Sequence, residues 1–125
     1  MNIYESSEDY LERILILKEA NGHVRSIDIA ESMGFSKPSV SVAMKKLREN
    51  GYIIVDNDGF ITLTEKGMQI ANHTYEKHKL LSSLLIELGV SKETAREDAC
   101  KIEHDLSDET FNAIKNYVEK VKNPR

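Results

Sequence analysis

Apolar positions recur at helical spacing in blocks that hydroxyl residues open and glycines close. Residues 7–20 predict a first helix, with Ser7 as N-cap and Leu11, Ile14, Leu15 and Leu17 as its apolar side. Asn21-Gly22 ends it. Ser26 opens a second, short helix that turns Ile27, Ile29, Ala30 and Met33 inward and stops at Gly34. Ser36 caps a third, with Pro38 in its first turn, running through Val40, Val42, Met44 and Leu47 to Gly51. The pattern then switches. Residues 52–55 and 60–63 are β-rich runs around Asp56-Asn57-Asp58-Gly59, which predicts a hairpin. Thr64 caps a long helix over 65–88 that ends at Gly89, Ser91 caps one over about 92–104, and Ser107 caps one over about 108–121.

Two helices joined by a short Gly-containing turn, the second one basic, fit a helix-turn-helix, and a hairpin directly after it is a wing. The expected fold is therefore mostly α: a winged helix-turn-helix over residues 1–71, then an all-helical domain over 72–125. The exposed residues expected on the reading helix are Ser36, Lys37, Pro38, Ser39, Ser41, Lys45 and Lys46. Lysines attract phosphate, and small hydroxyls allow close approach to backbone or base edges. No Arg, Asn or Gln stands in the first turns, so no base code can be read off. The acidic wing tip would repel phosphate, which leaves the wing the task of bracing the helix.

Charge changes this picture only locally. The chain of 125 residues has a formal net charge of −4, unusual for a nucleic-acid binder. Residues 36–51 nevertheless carry Lys37, Lys45, Lys46 and Arg48 against Glu49 alone. Composition is otherwise that of a soluble protein, 40% hydrophobic and 30% charged. No apolar run is long enough to span a bilayer, and the acidic start lacks the features of a signal peptide, so a cytoplasmic protein without membrane contact is expected. The single cysteine makes no internal disulfide, which leaves Cys100 a free thiol or a metal ligand.

Candidate chemistry gathers at Cys100-Lys101-Ile102-Glu103-His104. At spacing i, i+3 and i+4 a helix turns Cys100, Glu103 and His104 to one side, offering sulfur, oxygen and nitrogen to one cation. Asp9 and Glu12 make a second such pair on the first helix, and His78 lies on the long helix. Each group alone has an ordinary reading: acids early in a helix favour its dipole, and His78 sits among charged surface residues. Taken together with the stretches 8–14, 78–81 and 99–107, the chain resembles the diphtheria-toxin-repressor and manganese-transport-regulator family over nearly its whole length.

The resemblance implies a homodimeric repressor that binds palindromic double-stranded DNA when loaded with Fe(II) or Mn(II), with Co(II), Ni(II) or Zn(II) as possible substitutes in vitro, and shuts off metal uptake. It places the ligands at Asp9, Glu12, His78, Cys100, Glu103 and His104, and dimerisation in the second domain. Asp9 and Glu12 match the manganese branch and Cys100 the iron branch, so the site is a hybrid. The iron branch's ancillary acid and histidine stand here as Ser82 and Arg96. A short form without an SH3-like third domain is expected. Apolar candidates for the dimer contact are Ala95, Ala99, Ile102, Leu106, Phe111, Ile114, Tyr117 and Val118. Two other readings remain open: a winged-helix regulator of a non-metal ligand, and a small metalloenzyme. The second finds no Gly-rich phosphate loop, nucleophile elbow or HExxH, so no catalysis is expected.

Overall fold

The computed structural model describes residues 5–122. The elements are α1 (Glu5–Asn21), α2 (Ser26–Met33), α3 (Lys37–Glu49), β1 (Ile53–Val55), β2 (Ile61–Leu63), α4 (Glu65–Glu87), α5 (Lys92–Ile102) and α6 (Asp108–Lys122). Helix and hairpin thus follow in the expected order. Contacts group the chain into two units, Met1–His73 and Thr74–Arg125, with the boundary inside α4.

The first unit is a winged helix-turn-helix. From α1, Leu11, Ile14 and Leu15 are buried at i, i+3 and i+4; Ile29 and Ala30 of α2 and Val40, Met44 and Leu47 of α3 are buried likewise. The helix starts at Glu5, so Ser7 is an interior residue rather than the N-cap. Nothing in residues 5–7 breaks a helix, and a capping preference does not override a turn that can form. Ile27, expected inward, is 36% exposed, because an eight-residue helix spans little more than two turns and turns only one side to the core. Val42 is exposed as well, off the stripe formed by positions 40, 44 and 47.

Local chemistry sets the boundaries of α3 and the wing. Ser36 Oγ accepts from Ser39 N–H at 3.3 Å, and Asn50 Nδ2 donates to the Lys46 carbonyl at 2.7 Å. The strands pair antiparallel, Ile53 with Leu63 and Val55 with Ile61. At the tip, Asp56 Oδ1 accepts from the N–H groups of Asp58 and Phe60, each at 2.9 Å, and Gly59 takes φ +83°. The acidic wing tip is therefore a turn-forming device. Ile61 N–H donates to Val24 O at 2.8 Å, tying the hairpin to the segment before α2.

Thr64 joins hairpin to helix. Its Oγ1 accepts from Gly67 N–H at 3.1 Å and donates to Gly51 O at 2.7 Å. Gly67 lies so close to the hairpin that a Cβ there would stand 2.0 Å from Tyr52 O.

The second unit packs the remainder of α4 with α5 and α6. Ser91 and Ser107 cap α5 and α6 by accepting from Thr94 N–H at 3.3 Å and Thr110 N–H at 3.2 Å. Ala95, Ala99, Phe111 and Val118 are buried within the single chain. They are thus occupied in its own core, whereas Tyr117 is 66% exposed. The interface candidates divide because α6 buries positions 111 and 118 and turns position 117 outward. Lys115 pairs with Glu76 at 2.5 Å and Lys122 with Glu87 at 3.8 Å, so α6 runs alongside α4 in the same direction. No described helix is long and apolar enough to cross a membrane.

Candidate metal centre and nucleic-acid interface

The end of α5 brings three of the candidate ligands together. The helix stops at Ile102, two residues short of the sequence expectation. Glu103 is its C-cap but keeps right-handed helical angles, φ −57° and ψ −29°. Asp105 N–H then closes on Ile102 O at 2.9 Å, a tightened last turn. Because Glu103 stays helical, the near-alignment of positions 100, 103 and 104 survives the early stop. One donor atom from each of Cys100, Glu103 and His104 lies within 4.8 Å of the other two.

Glu103 is the centre of this group. Its side chain is fully buried, while the His104 side chain is 3% and the His78 side chain 22% exposed. Glu103 Oε2 faces His78 Nδ1 at 3.0 Å and Oε1 faces His104 Nε2 at 3.4 Å. The carboxylate thus hydrogen-bonds one imidazole through Oε2 and lies within ion-pair distance of the other through Oε1. A carboxylate withdrawn from water requires such partners, since an uncompensated buried charge is strongly unfavourable. Cys100 is exposed and forms no disulfide.

The imidazole, carboxylate and thiol of His104, Glu103 and Cys100, within 4.8 Å of one another, suit a divalent transition metal, and His78 meets the same carboxylate separately. Four of the six candidate ligands therefore converge within the second unit. Asp9 and Glu12 belong to the first unit, on one side of α1, with Asp9 half-buried and Glu12 buried. Sequence reasoning missed Lys77. It is buried beside His78, directs Nζ to Leu106 O at 3.5 Å and Asp108 Oδ1 at 3.7 Å, and ties the segment after His104 to α4. A lysine among Glu76, His78 and Lys79 carries no sequence signal of burial.

In the first unit, Ser36, Lys37, Pro38, Ser39, Ser41, Lys45 and Lys46 are all exposed on or at the start of α3. The Ser36 hydroxyl is engaged in the cap and also donates to Ser39 Oγ at 2.9 Å. Lys45 lies 4.0 Å from Glu49, and both are well exposed. Such a pair holds little energy and yields readily to a phosphate.

Residues 2–59 match the family model described as "Iron dependent repressor, N-terminal DNA binding domain", and residues 64–124 the one described as "Iron dependent repressor, metal binding and dimerisation domain". An uncharacterized HTH-type transcriptional regulator of Methanocaldococcus jannaschii is 42% identical over 120 residues, covering 94% of this chain and 96% of its own. Transcriptional regulator MntR of Escherichia coli is 35% identical over 116 residues, covering 93% of this chain and 75% of its own. The solved structure of the manganese regulator SloR superposes with a TM-score of 0.80 at 32% identity over 90% of this chain. The chain spans about half of SloR, 53% of its length. With both family models matched in order and the winged helix in place, the chain belongs to the diphtheria-toxin-repressor and manganese-transport-regulator family of metal-dependent transcriptional regulators.

Proposed function

We propose that this regulator is a homodimer that binds a palindromic operator when Fe(II) or Mn(II) occupies a ligand set of Asp9, Glu12, His78, Cys100, Glu103 and His104, and so limits uptake of that metal. The convergence of His78, Cys100, Glu103 and His104 around one buried carboxylate carries the reading. Asp9 and Glu12 join the set on the strength of the family resemblance and their i, i+3 spacing on α1. The principal site is assigned to Asp9, Cys100, Glu103 and His104. A second is assigned to Glu12 and His78, with Glu103 shared. The two-sided placement of Glu103 supports that sharing. Exposed Tyr117 and Val121 on α6 supply apolar surface for a dimer contact.

A divalent ion held there supplies the positive charge that lets several carboxylates and a thiolate share one site. The residues account for the coupling to DNA. Asp9 and Glu12 lie on the helix that packs in the DNA-binding unit, and the remaining ligands lie in the second unit. Joint ligation restrains the two recognition helices of a dimer to the spacing of successive major-groove faces. Metal and DNA then strengthen each other's binding reciprocally. SloR is named a manganese regulator, whereas the Cys100 sulfur makes this donor set softer and tilts it toward Fe(II), Co(II), Ni(II) or Zn(II).

The double variant Glu103→Ala, His104→Ala tests the mechanism by DNA binding with and without metal. Metal stimulation should vanish while the chain remains folded and dimeric. Undiminished metal dependence would falsify the mechanism. A Co(II) titration of the reduced metal-free protein tests the ligand set. A strong near-ultraviolet thiolate-to-cobalt band places Cys100 on the metal, and visible bands without it remove Cys100 from the set.

A further inference from the structure

The exposed side of α3 has an apolar centre. Val40, Met44 and Leu47 form its buried stripe, and at 3.6 residues per turn Val42 stands almost opposite them. Val42 is 56% exposed. Its neighbours one turn away are Pro38, Ser39, Lys45 and Lys46, all exposed. A β-branched residue at such a position adds nothing to the core and lowers helix propensity, so packing within the unit does not account for it.

The major groove offers an apolar side chain only one partner at the base edges. Guanine, adenine and cytosine present polar atoms there, and thymine alone presents a methyl group. Lys45 and Lys46 beside Val42 are placed to hold flanking phosphates, which carry affinity without sequence information. We propose that Val42 is a specificity-determining residue that reads a thymine methyl in each operator half-site. The inference rests on α3 being the recognition helix and adds the base class it selects.

The full chain loaded with Mn(II) is used to select binding sites from a randomised duplex pool. The selected duplex is then made with thymine and with deoxyuridine, which lacks only the methyl group. Removing the contacted methyl from both half-sites should weaken binding about fifteenfold, about fourfold for each group. The Val42→Ala variant, which keeps only Cβ, should discriminate between the two duplexes severalfold less than the wild-type chain. Lys45→Ala should weaken both and keep their ratio. Equal binding of the two duplexes by the wild-type chain overturns the proposal, as does undiminished discrimination in Val42→Ala. If no duplex is bound or enriched at all, the DNA-binding role of α3 itself fails. Val42 is exposed, so its replacement leaves the core untouched, and circular dichroism checks the fold.

Discussion

Replacing Gly67 by Ala should destabilise the winged unit by more than its chemistry suggests. A Cβ at position 67 would lie 2.0 Å from Tyr52 O, 3.0 Å from Tyr52 C and 3.4 Å from Leu63 Cδ2. The first two atoms are backbone, so no rotamer change relieves the clash. Relief requires α4 and the start of β1 to separate by about 1 Å, well outside the attractive well. That movement strains the Thr64 N–H bond to Tyr52 O at 3.0 Å and the Thr64 hydroxyl bond to Gly51 O at 2.7 Å. Overpacking costs about 1–3 kcal/mol, and each weakened hydrogen bond about 1 kcal/mol. Against this stands a gain of about 1 kcal/mol from replacing glycine in a helix. The net expectation is a loss of about 2–4 kcal/mol, or a melting temperature about 10–15 °C lower. Urea unfolding followed by circular dichroism at fixed pH reads it as a lower midpoint with unchanged slope. A Gly67→Ala variant as stable as the wild type, or more stable, refutes the close approach of helix and hairpin.

Ser36→Ala should lower stability by about 1 kcal/mol through loss of the α3 cap, read as a shifted urea midpoint; no shift would mean that the 3.3 Å bond to Ser39 N–H contributes nothing. Lys77→Met keeps the aliphatic stem but removes the tie to Leu106 O and Asp108, so Co(II) affinity should fall along with about 1 kcal/mol of stability. Unchanged cobalt affinity would show that the ligand turn holds its shape without it. Lys115 is raised above its usual 10.5, first by its hydrogen bond to Glu76 and then by that group's charge. Its pairing therefore stabilises the fold fully below 10.5 and less as pH rises through the raised value. Stability should fall less steeply above that pH in Lys115→Met than in the wild type, and parallel curves would contradict the pairing.

Much of the fold was legible because its signals are local. A serine or threonine cap acts on an N–H three residues later, as at Ser36, Thr64, Ser91 and Ser107, and the pattern of apolar positions located every helix and the hairpin. The candidate ligands came from two sources. Spacing suggested Cys100, Glu103 and His104, and only resemblance to a family added Asp9, Glu12 and His78. Packing decided the rest. Glu103 meets His78 across 25 residues of sequence, and no local pattern announces that meeting. The same holds for the burial of Lys77, and for the inward turn of Phe111 and Val118 with Tyr117 left outside. Gly67 reads in sequence as a weak helix former and in space as the one residue type small enough to let α4 touch Tyr52 O. Val42 reads as a core residue, yet the stripe at 40, 44 and 47 leaves it facing outward. Periodicity specifies which residues share a side of an element, whereas the neighbours that side meets depend on how elements distant in sequence pack.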